Sequence, residues 1–276
     1  MRNLLSANIF RLFKDKTFWL CMAAMLAYAV FYMLNGCRQA KFGMEEYHTR
    51  IDDYYFHFAV PIGLFIALFS SMFLGTEYSD GTIRNKIVVG HTRADVYLAD
   101  LAVTFLASLL IMAAWLIGGL VAVPELGLWE LGVTKLFEYL LIAVLIVAAL
   151  SSIFTFVGML SVNKAVTVAV SIFLFLGMLL AASNLYNGLA QPELASGLEM
   201  TANGVKMGEP MPNPAYVGGS MRKLYELLMD FLPTGQGILM WQLEVGNPIR
   251  MGLSSVLLTV GPTLGGMALF GRKNLK

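Results

Sequence analysis

Residues 73–101 read FLGTEYSDGTIRNKIVVGHTRADVYLADL, and this stretch interrupts two long apolar runs. It gathers Glu77, Asp80, Arg84, Lys86, Arg93 and Asp95 into a short hinge whose charges neither flank would tolerate. On each side the chain returns to about 20 consecutive apolar residues, the length that crosses a bilayer as a helix. A chain that only had to turn back would manage with a few polar residues. This hinge instead sets acid, glycine, base and an amphipathic turn in order, the make-up of a docking element for a soluble partner.

Bulk composition agrees with the flanks. Hydrophobic residues are 58% of the 276 and charged residues 13%. A soluble domain carries roughly 25% charged residues, so about half of the usual solubilising charge is missing. Net charge is +1, and no basic run interleaved with aromatics points to nucleic acid. Cys21 and Cys37, 16 residues apart, would stand about 24 Å apart along a helix, too far to bridge.

Six apolar runs are the candidate spans: 17–34, 57–75, 97–123, 136–160, 165–185 and 250–270. They are continuous rather than alternating, which predicts helices and not a barrel. The link at 161–164 is so short that spans four and five form an antiparallel hairpin. The tetrad Leu34-Asn35-Gly36-Cys37 has the outline of a lipoprotein cleavage box, but Asn35 fits it poorly and the first run reads as a retained span.

Orientation follows from Lys and Arg. With the N-terminus inside, the inner segments hold 11 of the 19 basic residues in far less sequence than the outer loops occupy. Positive-inside asymmetry then places both termini and the hinge in the cytoplasm. Residues 1–16 read as an amphipathic elbow helix lying on the membrane surface, with Leu5, Ile9, Leu12 and Phe13 on one face and Arg2, Asn8, Arg11 and Lys14 elsewhere. The outer segment 186–249 is loop over 187–220, followed by short helices at 222–232 and 238–245 separated by Pro233-Thr234-Gly235.

Within the hinge, 76–92, Glu77 falls at the water boundary, where it can pair with a basic residue of the hinge or of a partner. Asp80-Gly81 signals a turn and Thr82 is a cap for the helix that follows. Ile83, Ile87 and Val88 share one face of that helix, with Arg84 and Lys86 elsewhere. Thr92 and Asp95 form a capping pair at the start of the third span.

The sequence F-x-x-x-E-x-x-x-G-T, carried by Phe73, Glu77, Gly81 and Thr82, with Arg93 following, resembles the type-2 ABC-exporter permeases. FLPTGQGI at 231–238 and the order of elbow, six spans, hinge and large outer segment extend the resemblance over the whole chain. It implies an all-α polytopic permease, one domain over 1–276, in a bacterial cytoplasmic membrane. The hinge would hold a coupling helix that docks on a separate ATP-binding subunit, with Glu77, Asp80, Gly81, Thr82, Ile83, Arg84, Lys86 and Ile87 at the contact. Two such subunits, carrying ATP and Mg, and a second permease copy or a related permease are the implied partners. No G-x-x-x-x-G-K-[ST] run occurs, so this chain is expected to bind no cofactor and to hydrolyse nothing itself.

Ser70, Ser71, Thr104, Ser108, Ser151, Ser152 and Thr155 are sparse polar points within the spans. They favour a hydrophobic or amphipathic cargo, a peptide, antibiotic or lipid-like molecule. Ion extrusion, and a non-transporting sensor or assembly protein, are the alternatives. Glu45-Glu46-x-x-x-Arg50 matches a pattern of intramembrane proteases, but it sits in an outer loop, and no histidine falls in the interior of a span. His48, His57 and His91 read as solvated residues rather than metal ligands. Asp100 and Glu138 lie near span ends, where an intramembrane acid is a functional candidate by default and snorkelling or simple solvation is the alternative.

Overall fold

The computed structural model describes residues 1–42, 50–127, 130–161, 163–196, 198–201, 204–207 and 209–273. Helix α1 (Arg2–Lys14) leads into α2 (Lys16–Phe42), the first long helix. The second span is broken. A short helix α3 (Asp52–Tyr55) and a 3-10 turn at Phe56–Ala59 precede α4 (Ile62–Ser79), with Pro61 at the junction, where it has no N–H to donate. The hinge helix α5 (Thr82–Val88) leads to α6 (Arg93–Gly119), then a single turn α7 (Val123–Leu126). The hairpin of α8 (Val133–Leu160) and α9 (Lys164–Leu189) follows.

Beyond α9 the expected loop contains two small antiparallel hairpins. Strand β1 (Leu194–Ala195) pairs with β4 (Met211–Pro212), and β2 (Leu198–Thr201) pairs with β3 (Gly204–Met207). The helices α10 (Gly219–Phe231), α11 (Pro233–Trp241) and α12 (Pro248–Arg272) complete the order. Pro233-Thr234-Gly235 does not separate two helices as expected. Pro233 opens α11, where its missing N–H costs nothing, and only Leu232 intervenes.

Six helices are long and apolar enough to cross a membrane, and all six coincide with the expected runs. Each overruns the apolar run that marks it, the first reaching Lys41 and the second running from Asp52 to Ser79. Backbone hydrogen bonding continues past the apolar surface into the polar flank, so helix length and hydrophobic length differ. The chain is a multi-pass membrane protein.

Helix α8 lies at the centre, against α12, α4, α6 and α9, while α2 packs along α6 and α4 along α9. Serine and threonine join these helices. Ser71 donates to Ser171 (2.8 Å), Ser151 to Ser108 (3.1 Å), Ser152 to the Thr259 carbonyl (2.7 Å), and Thr104 and Thr155 share a bond (2.8 Å). The sparse polar points are therefore all buried between helices. Such bonds average about 0.6 kcal/mol each in a membrane, so they fix register more than stability. The outward faces of α9 and α12 are apolar instead, with Phe173, Leu176 and Leu180 on one and Leu253, Leu257 and Leu264 on the other.

Candidate functional site

The hinge is built around Glu77, one turn before the end of α4 and only 1% exposed. Its Oε1 receives both the Arg11 guanidinium of α1 and, at 2.6 Å, the Lys86 ammonium of α5. Arg11 also donates to the Phe73 carbonyl (2.6 Å) and lies 3.7 Å over the Phe73 ring. Lys86 reaches further, to Asn8 Oδ1 (3.0 Å) and Asp100 Oδ1 (3.3 Å). Asn8 in turn donates to Asp100 Oδ1 at 2.5 Å. Four elements, α1, α4, α5 and α6, thus meet at two carboxylates, two cations and one amide whose formal charges cancel.

Burial pushes Lys86 below its ordinary range, and the neighbouring Asp100 carboxylate works against that shift. Arg11 is displaced the same way by burial, opposed first by Asp100 and then by Asp15 and Asp80. Desolvating four ions is costly, and only mutual neutralisation makes it tolerable. Removing one partner from such a set costs about 3–5 kcal/mol.

The turn that brings Lys86 back to Glu77 depends on Gly81. Its φ of 67° is the left-handed conformation that glycine adopts freely. Thr82 was expected to cap α5, yet its hydroxyl donates backward to the Glu77 carbonyl (3.1 Å), and Gly81 occupies the cap position. Ile83 is buried and Ile87 half-buried, as their shared face requires, whereas Val88 turns outward and is 77% exposed. Val89 beside it is 79% exposed, and Arg84 and Asn85 are also exposed. At the end of the hinge Thr92 accepts from the Asp95 amide (3.1 Å) and donates to its carboxylate (2.7 Å), the reciprocal pair read in the sequence.

Of the residues singled out in the sequence, Glu77, Lys86 and Arg11 converge, while Asp80, Arg84, Arg2 and Lys14 remain on the surface. The packed face of α1 differs from the expected one. Leu4, Asn8 and Leu12 turn inward, and Phe13 turns outward. Asn8 and Asp100 were missed as members of the site. Asp100 is fully buried rather than solvated. Its signal was present, since an acid inside an apolar run is a functional candidate by default. Asn8 carried no signal, because an amide on a polar helix face is unremarkable until a carboxylate lies opposite.

A second clamp closes the same end of the helices. Lys273 donates to Tyr78 Oη (3.0 Å), the Met159 carbonyl (2.9 Å) and the Ser161 carbonyl (3.1 Å). Arg93 donates to the Phe270 carbonyl (2.9 Å) and to that of Lys273. At the opposite end His57 is stacked on Tyr32 (4.1 Å between ring centres), bonded to Tyr28 Oη (2.8 Å) and set edge-on to Trp241. It is therefore packed among rings rather than solvated. His91 lies beyond the other end of span two, His48 and the paired Glu45-Glu46 lie outside the described residues, and no group of three metal-ligating side chains occurs among the described residues.

No curated protein and no solved structure matches the chain. One family does. The family described as ABC-2 family transporter protein matches residues 4–179, which takes in the elbow, the first four spans, the hinge and most of span five. The hinge cluster falls wholly within that match, and with six spanning helices around it the chain belongs to the ABC-2 family of transporter proteins.

Proposed function

We propose that this chain is the membrane permease subunit of an ATP-driven exporter, with the hinge on the cytoplasmic side. The observation that carries the reading is the buried cluster of Arg11, Glu77, Lys86 and Asp100. It makes the elbow, span two, the hinge helix and span three one mechanical unit. The same hinge presents Arg84, Asn85, Val88 and Val89 outward, a small apolar surface beside a charge, suited to a soluble subunit.

In this reading ATP and Mg reside on two copies of a separate ATP-binding subunit, and this chain has no ATPase of its own. Closure of those subunits presses on α5, and the cluster transmits the displacement to α4 and α6 together. The hinge contacts must differ between nucleotide states, because a ligand shifts an equilibrium only by its differential affinity. A second permease copy faces the apolar surfaces of α9 or α12. Those surfaces favour a hydrophobic or amphipathic cargo moving between copies rather than through one bundle.

The test is co-purification with the ATP-binding subunit, followed by ATP-dependent transport in proteoliposomes. Arg84→Glu combined with Val88→Asp alters only exposed side chains. It should abolish co-purification and cargo-stimulated ATP hydrolysis while leaving the thermal midpoint of the chain unchanged. Undiminished stimulation in that variant would sink the coupling role.

A further inference from the structure

Next to the buried cluster lies an open cleft of about 210 Å³ between the end of α1, the end of α4 and the start of α5. It is lined by Arg11 and Glu77 of the cluster together with Lys14, Asp15, Thr76, Asp80 and Thr82. Two of these charges have no direct ion-pair partner, although Asp80 lies near enough to Arg11 to favour its charged form. Lys14 makes no ion pair or hydrogen bond among the described residues, its ammonium resting 4.1 Å from the centre of the Phe10 ring. Asp80 is exposed and likewise makes neither ion pair nor hydrogen bond. A cation and an anion without direct partners, lining one cleft, complement a zwitterion.

The position of the cleft says where such a ligand comes from. Span one begins at Lys16 and span two ends at Ser79, so the cleft stands at the level where the apolar spans stop. Phe10, Phe13 and Trp19 are exposed on the neighbouring surface, and the Trp19 indole donates to the Phe13 carbonyl (2.9 Å). Exposed aromatics at a span end mark the headgroup layer. We propose that this cleft binds the headgroup of a phospholipid bearing a primary ammonium, phosphatidylethanolamine, with its phosphate on Lys14 and Arg11 and its ammonium on Asp80.

The chemistry separates this lipid from its neighbours in a bilayer. A primary ammonium has three hydrogen-bond donors for the Asp80 carboxylate and the hydroxyls of Thr76 and Thr82. The quaternary group of phosphatidylcholine has none. Phosphatidylglycerol has hydroxyl donors but brings no cation, so it leaves the charge of Asp80 uncompensated. The inference rests only on the six spans lying in a bilayer and stands whatever soluble partner the hinge takes.

Native mass spectrometry of the delipidated full-length chain, offered phosphatidylethanolamine, phosphatidylcholine and phosphatidylglycerol in equal amounts, tests it. Phosphatidylethanolamine should be retained about tenfold over each of the others, the worth of a hydrogen bond to a charged group. Asp80→Asn should erase the preference over phosphatidylcholine, and Lys14→Gln should weaken retention of all three. Equal retention by the unmodified chain overturns the proposal, as does a preference that survives Asp80→Asn. O-phosphoethanolamine at the same concentration should leave the lipid in place. Displacement by it would assign the cleft to a soluble ligand and end the lipid reading.

Discussion

Glu77 holds two cations on one oxygen, and that sharing predicts how its variants behave. Glu77→Gln leaves Arg11 and Lys86 facing a neutral amide in a nearly dry site, and it should lower stability by about 3–5 kcal/mol in a detergent unfolding titration. Adding Arg11→Met removes one of the stranded cations. The double variant should therefore lose less than the sum of the singles, a coupling expected of residues in direct contact. Lys273 gives a prediction in pH. Burial pushes its ammonium down to about 8 from an ordinary 10.5. Between those values the unfolded chain binds more protons than the folded one, so stability contributed by this residue rises with pH across the interval. Below about 8 both forms are protonated and the contribution is flat. The thermal midpoint of the unmodified chain, measured against Lys273→Met, should gain on the variant as pH climbs from 8 towards 10.5.

Among the elements, α5 and α11 show what local reading captures and what it misses. The hinge helix is seven residues long and would not persist alone. Its existence was nonetheless legible, because Asp80-Gly81 and Gly90 punctuate it and Ile83 and Ile87 fall on one face. Its attachment was not, since that depends on residues 92 positions apart, Asn8 and Asp100, whose pairing only the tertiary structure creates. The spans were legible in number and order because apolar length is a strong signal. Their ends were not, because helical hydrogen bonding carries on into polar sequence. The small β-hairpins escaped notice because strands of two to four residues leave no period to detect. In α11, Gly237 falls between the two short helices expected at 222–232 and 238–245, and it is where two backbones touch. A Cβ there would collide with the Ala59 carbonyl oxygen and stand 2.9 Å from the carbonyl carbon. Neither backbone yields as a side-chain tip would. Gly237→Ala should cost at least the 1–3 kcal/mol typical of overpacking, read as a lowered thermal midpoint, whereas Gly246→Ala, which meets nothing, should not.

For the whole molecule, the division of polar and apolar surface is the informative feature. The sparse polar points of the spans, Ser70 apart, bond helix to helix or to their own helix, and the outward faces of α9 and α12 are apolar. Both termini of the described chain are fastened at the hinge end, α1 through Arg11 and Asn8 and the end of α12 through Lys273 and Arg93. Any rocking of the spans must carry these fastenings along or exchange their partners. The free second oxygens of Glu77 and Asp100 leave room for such exchange.

The 92-residue separation between Asn8 and Asp100 also sets an order of events during biosynthesis. As the chain emerges, the elbow arrives first and has no counter-charge until Glu77 follows. It has no complete seat until Asp100 has left the ribosome. The elbow should therefore stay open to protease in membrane-bound nascent chains stalled before residue 100 and become protected once span three is released. An Asp100→Ala chain should remain cleavable at every length. On that order of events the hinge cluster is complete only once span three is free, so seating of the elbow reports that three spans have assembled.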